Sequence, residues 1–402
     1  MNAVMQLLSP EKVKALFQRR KRRYIKRDRE EAAQRLFQDY FAENPTFPPE
    51  MFRRQFRMHR ELFIRILNGV TAYDEWFIQK PDAFGCMGFT PIQKMTAAIR
   101  ILAYEISADL CDKYIKISET TAVKSLKRFC DSVIAVYAGQ YQRTPNEKDI
   151  ARLLREGEEK GFPGMLGSID CMHWVWKNCP TGWHGTHRER NHKPTLILEA
   201  VASKDLWIWH AFFGMAGSNN DVNVLDHSPV FNSLINGTMP PINYEINGHR
   251  RTMGYYLSDG IYPKWTTLIQ TIPHPTTVKE KLFAKKQKAV RKYVERAFGV
   301  LQIRWAITQG PVYYWDKEDL NKIMRTCIIL HNIIIEDERG HILQWTPPPD
   351  EPISLPQYIR NPTMLAAHIS GHFRRIRNRA DNANLKRHLM EHLWNQFGNE
   401  DV

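Results

Sequence analysis

Apolar positions recur at helical spacing through the first 150 residues and then give way to short apolar runs. The basic segment 1–48 reads as a mostly helical arm ending near Asn44-Pro45, and 49–150 as an all-helical region. Within it, Thr90-Pro91 fits an N-cap and first helical position. Ala108–Tyr114 fits a second short helix, and Ser118 opens a third with Val123, Leu126, Phe129 and Val133 on one face. The tight turn Ile115-Lys116-Ile117 between the last two gives a helix-turn-helix-like spacing. It puts Lys124, Lys127 and Arg128 where they can meet phosphates or bases; the plainer alternative is a helical bundle with a basic outer face. After Gly161 the pattern turns to strands: Gly167–Trp176, Thr195–Ala202, Leu206–Phe213, Tyr255–Ser258 and a fifth marked by Thr271-Ile272-Pro273. Helices are expected over 221–235, Glu280–Leu301 and Lys317–Glu336. Three strands followed by alternating helices and strands predict a mixed α/β sheet over 160–340. The Pro run Thr346–Pro349 then breaks the chain, leaving 341–402 as a Pro-rich linker and a basic helical tail.

Composition narrows the function classes. No run of 18 apolar residues occurs, so no membrane span is expected, and the apolar-then-basic N-terminus has the wrong order for a secretory signal. The 57 Lys and Arg outweigh 43 Asp and Glu, a net +14 that fits a polyanionic partner, because neutralising phosphates releases counterions. The run Arg19–Arg23 fits either a nuclear-import patch or a solvated helix face. Six scattered cysteines without CxxC spacing support neither a disulfide framework nor a zinc ribbon, and fit a reducing compartment. Cys179, His184 and His187 (C-x4-H-x2-H) match zinc spacing poorly.

The strongest chemical signal is a set of acids near strand ends. Asp170 interrupts the apolar GSIDCMHW, where burial is costly without a partner or a cation. Asp259 follows the apolar YYLS, and Glu295 lies at the edge of the apolar stripe Phe283, Val290, Val294, Ala297, Leu301. Two strand-borne aspartates and a helical glutamate can share two Mg²⁺ or Mn²⁺ ions, which activate a nucleophile and stabilise a leaving oxygen in phosphodiester chemistry. Each acid also has a structural reading: Asp170 capping a loop, Asp259 making a turn before Gly260, Glu295 pairing with Arg291. Asp221, in GSNNDVNVL, is either the N-cap of the next helix or a further metal ligand.

At these residues the chain resembles the PIF/Harbinger superfamily of transposases, in its plant Ping/Pong-like branch. The strings that carry the resemblance are GSIDCMHWVWKNCPTGWHG (167–185), KPTLILEAVAS (193–203), GSNNDVNVLDHSPVF (217–231), YYLSDGIYPKW (255–265) and VERAFGVLQIRW (294–305). REEAAQRLFQDYF (29–41) and FRRQFRMHRELFIRIL (52–67) match the segment preceding the catalytic region. The resemblance implies an RNase H-like catalytic domain with a DDE acid set, Asp170, Asp259 and Glu295, the last two 36 positions apart. Asp221 also lies in a family motif, so either it or Asp259 is the second acid; the expected fourth strand favours Asp259. The resemblance further implies a nuclear enzyme that cuts DNA at transposon terminal repeats and joins the 3′ ends to target DNA. Its expected partners are a Myb-like DNA-binding protein of the same element and further copies of itself. The alternative is a host-retained, transposase-derived nuclear protein that binds DNA or protein without catalysis. All four acids are present, which favours the enzyme.

Overall fold

The computed structural model describes residues 27–342 and 370–398. The run Arg19–Arg23 and the Pro run at 346–349 lie outside them.

Among the described residues six helices of eight residues or more come first: α1 (Arg29–Tyr40), α2 (Pro49–Phe56), α3 (Arg60–Tyr73), α4 (Pro91–Tyr104), α5 (Glu119–Tyr141) and α6 (Glu147–Glu159). The short helix expected over Ala108–Tyr114 is present between α4 and α5 as a 3-10 turn, Ala108–Leu110, and a single α-turn, Cys111–Tyr114. Local chemistry sets their starts. Thr90 and Gln93 form a reciprocal capping box with Pro91 at the first position, and Asn146 and Asp149 form another. Phe41, Phe52, Phe56 and Phe63 knit α1 to α3, their ring centroids 4.4–6.0 Å apart. The expected third helix after Ser118 exists but runs 23 residues, and it buries Ala122, Ser125, Leu126, Phe129, Cys130, Ser132 and Val133. It is the spine of the bundle, packed between α4 and the later helix α9 (Lys317–Ile342).

The sheet contains β1 (Met165–Val175), β2 (Thr195–Ala202), β3 (Ile208–Ala216), β6 (Tyr255–Ser258) and β7 (Leu268–Gln270), in the order β3-β2-β1-β6-β7. β1, β2 and β3 are antiparallel neighbours, while β6 and β7 run parallel to β1. Between β3 and β6 lie helix α7 (Asp221–His227) and a hairpin of β4 (Tyr244–Ile246) and β5 (His249–Arg251). Helix α8 (Val278–Arg304) follows β7, and α10 (Arg379–Phe397) is the last described helix. A capping box of Thr277 and Glu280 starts α8. Every residue of β2 is buried, so both sheet faces are covered. Met172, Trp174, Leu198 and Ala200 pack with Val294, Ala297, Phe298 and Leu301 of α8 on one face. Ile169 and Val201 meet Leu225, Val230, Phe231 and Ile235 on the other.

One cluster of buried side chains runs without a break from Leu36 through α5 and the sheet to Ile335. At its centre Asn332 of α9, fully buried, donates to the carbonyls of Tyr141 and Ile208, both at 2.8 Å, and accepts from Ile208 N–H at 3.0 Å. Those three bonds tie the helical region to an edge of the sheet.

Several elements differ from the sequence reading. The fifth strand is Leu268–Gln270, not Thr271–Pro273, because the buried residues precede Pro273, which cannot donate to a ladder. The single helix expected over 221–235 breaks at Pro229 into α7 and the single turn Asn232–Ile235. β3 begins at Ile208, since Leu206 has φ 69° and turns the chain. The β4–β5 hairpin was not foreseen.

Candidate active site

Asp170 lies in the middle of β1, not at its end. The parallel pairing of β1 with β6 stops at Ser168–Leu257 and Ser258 is the last residue of β6, so Asp170 stands at the level where β6 leaves the sheet. Asp259 is the next residue of the chain after β6 and lies at that same level, two positions beyond Leu257 as Asp170 is beyond Ser168. Strand termination thus brings the two aspartates onto one rim. Asp259 is exposed and its carboxylate accepts the N–H of Gly260, the turn-making role read from the sequence.

Asp170 is paired with α8. Its Oδ1 accepts Cys171 N–H at 2.9 Å and its Oδ2 accepts from Arg291 Nη1 at 3.3 Å. The same guanidinium reaches Glu295 Oε1 at 2.9 Å through Nη2, so one arginine bridges two of the three expected acids. The side chains of Asp170 and Arg291 are each 17% exposed, and that of Glu295 41%. Burial pushes the Asp170 carboxyl up to about 6. The Cys171 N–H and Arg291 pull it down, while the charges of Asp221 and Glu295 push it further up.

Asp221 is the first residue of α7 but not its cap: Asn220 takes that place, accepting Asn223 N–H at 2.9 Å. That leaves the Asp221 carboxylate to hydrogen-bond Cys171, and burial raises its pKa, with Asp259 and Glu199 adding to the rise. Cys171 in turn contacts Tyr262 Oη at 3.5 Å. The four expected acids therefore lie along one rim, Asp170 and Glu295 joined by Arg291 toward α8, Asp221 with Cys171 toward α7, and Asp259 exposed at the end of β6. Among the described residues, no three His, Cys, Asp or Glu side chains come together closely enough to hold a metal ion.

Two residues here lay beyond the sequence reading. From the sequence, Arg291 offers itself only as a partner of Glu295, four residues on. Glu199, opposite Cys171 on β2, is fully buried; its Oε1 accepts from Ser228 and lies 3.3 Å from His210 Nε2, while Oε2 has no hydrogen-bond partner. The one available signal was a lone acid in the otherwise apolar TLILEAVA.

The basic residues expected to meet DNA are placed differently from the acids. Lys127 pairs with Asp319 at 2.6 Å and Arg128 with Asp74 at 2.8 Å, tying α5 to α9 and to the end of α3. Lys124 lies 5.6 Å from the Trp76 ring, beside an open hollow of about 510 Å³ lined by Asp74, Glu75, Trp76, Lys94 and Arg128.

Comparison with known proteins adds the family. The plant transposon protein family matches residues 139–342, from the end of α5 through α9, and a domain of unknown function matches 33–71. A protein named ALP1-like from Arabidopsis thaliana is 25% identical over 304 residues, covering 72% of each chain. A second Arabidopsis thaliana protein, named antagonist of like heterochromatin protein 1, is 24% identical over 254 residues, covering 61% of this chain and 63% of its own length. No solved structure matches.

Proposed function

The chain belongs to the plant transposon protein family, a PIF/Harbinger-type transposase-like group, and from that premise we propose that it is a divalent-metal-dependent DNA nuclease and strand-transfer enzyme acting in the nucleus. The observation that carries the proposal is the convergence of Asp170, Asp221, Asp259 and Glu295 on the rim where β6 ends. The antiparallel β1–β3, the parallel β6 and β7 and the crossing α8 support an RNase H-like reading of residues 160–340. The helical region 49–150 and the arm 1–48 would then engage DNA or a Myb-like partner protein.

The acids suit Mg²⁺ or Mn²⁺ by donor chemistry, being hard oxygens on a partly desolvated rim where the charges of Asp221 and Glu295 push up the Asp170 carboxyl and that of Asp259 pushes up Asp221. Their side chains would have to draw closer than they stand here to share an ion. Asp170, Asp259 and Glu295 would hold the ions, with Asp221 assisting. Bound there, the metal supplies an activated nucleophile and charge stabilisation at the leaving oxygen. Arg291 orients Asp170 and Glu295 by holding one oxygen of each. The second oxygen of Glu295 remains open for a ligand, and the guanidinium beside it would also suit a phosphate oxygen.

A second reading rests on the name of one relative, an antagonist of a heterochromatin protein: a retained nuclear protein that acts by binding. Cleavage of a terminal-repeat duplex with Mg²⁺ or Mn²⁺ and the Myb-like partner separates the two. The enzyme reading expects wild type to cut, while Asp170→Asn, Asp259→Asn and Glu295→Gln bind without cutting. Whichever of Asp221→Asn and Asp259→Asn abolishes cutting is the second acid. Wild type that binds DNA and cuts under no metal supports the binding protein instead.

A further inference from the structure

Helix α8 is the most strongly charged element described. It carries nine Lys and Arg against two Glu, a net charge equal to half the chain's +14. Lys281, Lys285, Lys288, Lys292 and Arg296 are all exposed, at spacings of four, three, four and four residues. At 3.6 residues per turn they fall within a sector of about 80°, a single stripe about 22 Å long. The buried side chains Phe283, Val290, Val294, Ala297 and Leu301 occupy the opposite face, which fixes the stripe toward solvent. Among the described residues no carboxylate pairs with Lys281, Lys288 or Lys292. Glu295 projects from the edge of this stripe, so its last turn borders the acid rim.

We propose that the exposed stripe Lys281–Arg296 of α8 is a track for the DNA phosphodiester backbone, leading the duplex that flanks the reacting bond onto Asp170 and Glu295. This rests on the nuclease reading for its destination but not for its contact. The occupant follows from charge and shape. A straight row of ammonium groups about 22 Å long spans six or seven base pairs at 3.4 Å each, and lysines act as point charges on phosphates without demanding a sequence. Between Lys281 and Arg296 the stripe carries no aromatic or large apolar side chain, so it offers nothing for base stacking there. The exposed Val278 (59%) and Ile303 (72%) lie beyond its two ends, too far apart to form an apolar face for insertion among lipid tails.

The test is salt-dependent binding of a fluorescein-labelled 30-base-pair duplex to the full chain, followed by anisotropy. The variants are Lys281→Ala/Lys288→Ala/Lys292→Ala, the corresponding triple Lys→Arg change, and a charge-matched control Arg155→Ala/Lys204→Ala/Arg250→Ala, three exposed cations outside both α8 and the helical region 49–150. Loss of three phosphate contacts should lower the slope of log affinity against log salt by about 2.7 and weaken binding more than tenfold at 0.1 M salt. The arginine triple should restore the slope and the control should stay within twofold of wild type, with circular dichroism unchanged throughout. The track is overturned if wild type does not bind the duplex, if the alanine triple matches wild type, or if the control loses as much. It is also overturned if the stripe's charges govern binding to phosphatidylserine vesicles and not to the duplex. Asp170→Asn separates the two proposals: it should keep the full slope. Wild type that binds with that slope but never cuts leaves the track standing and removes the nuclease; wild type and alanine triple that bind and cut alike do the reverse.

Discussion

Replacing Asp170 with Asn should make the metal-free protein more stable at neutral pH, although it removes a charged partner from Arg291. In the fold the Asp170 carboxyl sits at about 6 against an ordinary value of 3.8, mainly because burial disfavours its charge. A raised folded value means that the group's stabilising contribution is complete below about 3.8 and is lost as pH climbs through about 6. At about 1.4 kcal/mol per tenfold, the charged carboxylate costs the fold roughly 2–3 kcal/mol at pH 8. Asn keeps the shape and an acceptor for Cys171 N–H; its NH2 group cannot accept from Arg291, which keeps Glu295. With an unfolding entropy of about 2.1 cal/mol/K per residue over a chain of this length, the gain appears as a Tm higher by about 3 °C. The assay is thermal melting of both proteins from pH 4 to pH 8 in EDTA. The difference should be near zero at pH 4 and reach its full size above pH 7. Mg²⁺ or Mn²⁺ at a hundredfold excess over its dissociation constant should then stabilise wild type by about 2.7 kcal/mol and leave the variant nearly unmoved. A variant less stable than wild type at pH 8, or a difference that is flat with pH, refutes the reasoning.

The other predictions concern the scaffold. Asn332→Ala leaves Ile208 N–H and the carbonyls of Ile208 and Tyr141 unpaired in a dry interior, and should cost about 3 kcal/mol in urea unfolding; a loss under 1 kcal/mol would show that the clamp contributes little. Gly167 has φ 146° at an irregularity in the β1–β6 register, and a Cβ there would meet Ala202 O at 2.7 Å. Gly167→Ala should therefore destabilise the fold by about 2 kcal/mol and displace Asp170 three residues on, with cleavage falling more than stability. Buried His331 is lowered to about 3 by burial and then by Arg304. Its stabilising contribution is present above 6.5 and is lost as pH falls toward 3, so His331→Gln should flatten the acid limb of the stability profile. Wild type and Asp170→Asn share this contribution, so it cancels in their comparison.

Legibility from sequence tracked how local each cause was. Thr195–Ala202 and Tyr255–Ser258 were readable residue for residue, because continuous apolar runs admit little else than buried strands. The β4–β5 hairpin went unread although its turn, Asn247-Gly248, is a strong hairpin signal and both residues take positive φ, 50° and 81°; the flanks YEI and HRR are too short and polar to register. Asp170, Asp259 and Glu295 stand out in the sequence because each follows or interrupts an apolar run, whereas Asp221 follows the polar Ser218-Asn219-Asn220. Arg291's second contact was not, because Asp170 lies 121 positions away and only the β1–α8 packing joins them. For the same reason the ion pairs of Lys127 and Arg128, with Asp319 and Asp74, could not be foreseen from an isolated helix pattern.

The unbroken core from Leu36 to Ile335 bears on how such a gene can decay. Because Asn332 bonds at once to the end of α5 and to β3, an internal deletion that removes either side strips partners from the other. Truncated copies of the gene would yield chains that expose this interior, not separate folded modules. A single carboxylate-to-amide change at the rim would instead leave the protein intact and somewhat sturdier. Point substitution at the rim is thus tolerated by a fold that internal deletion would break.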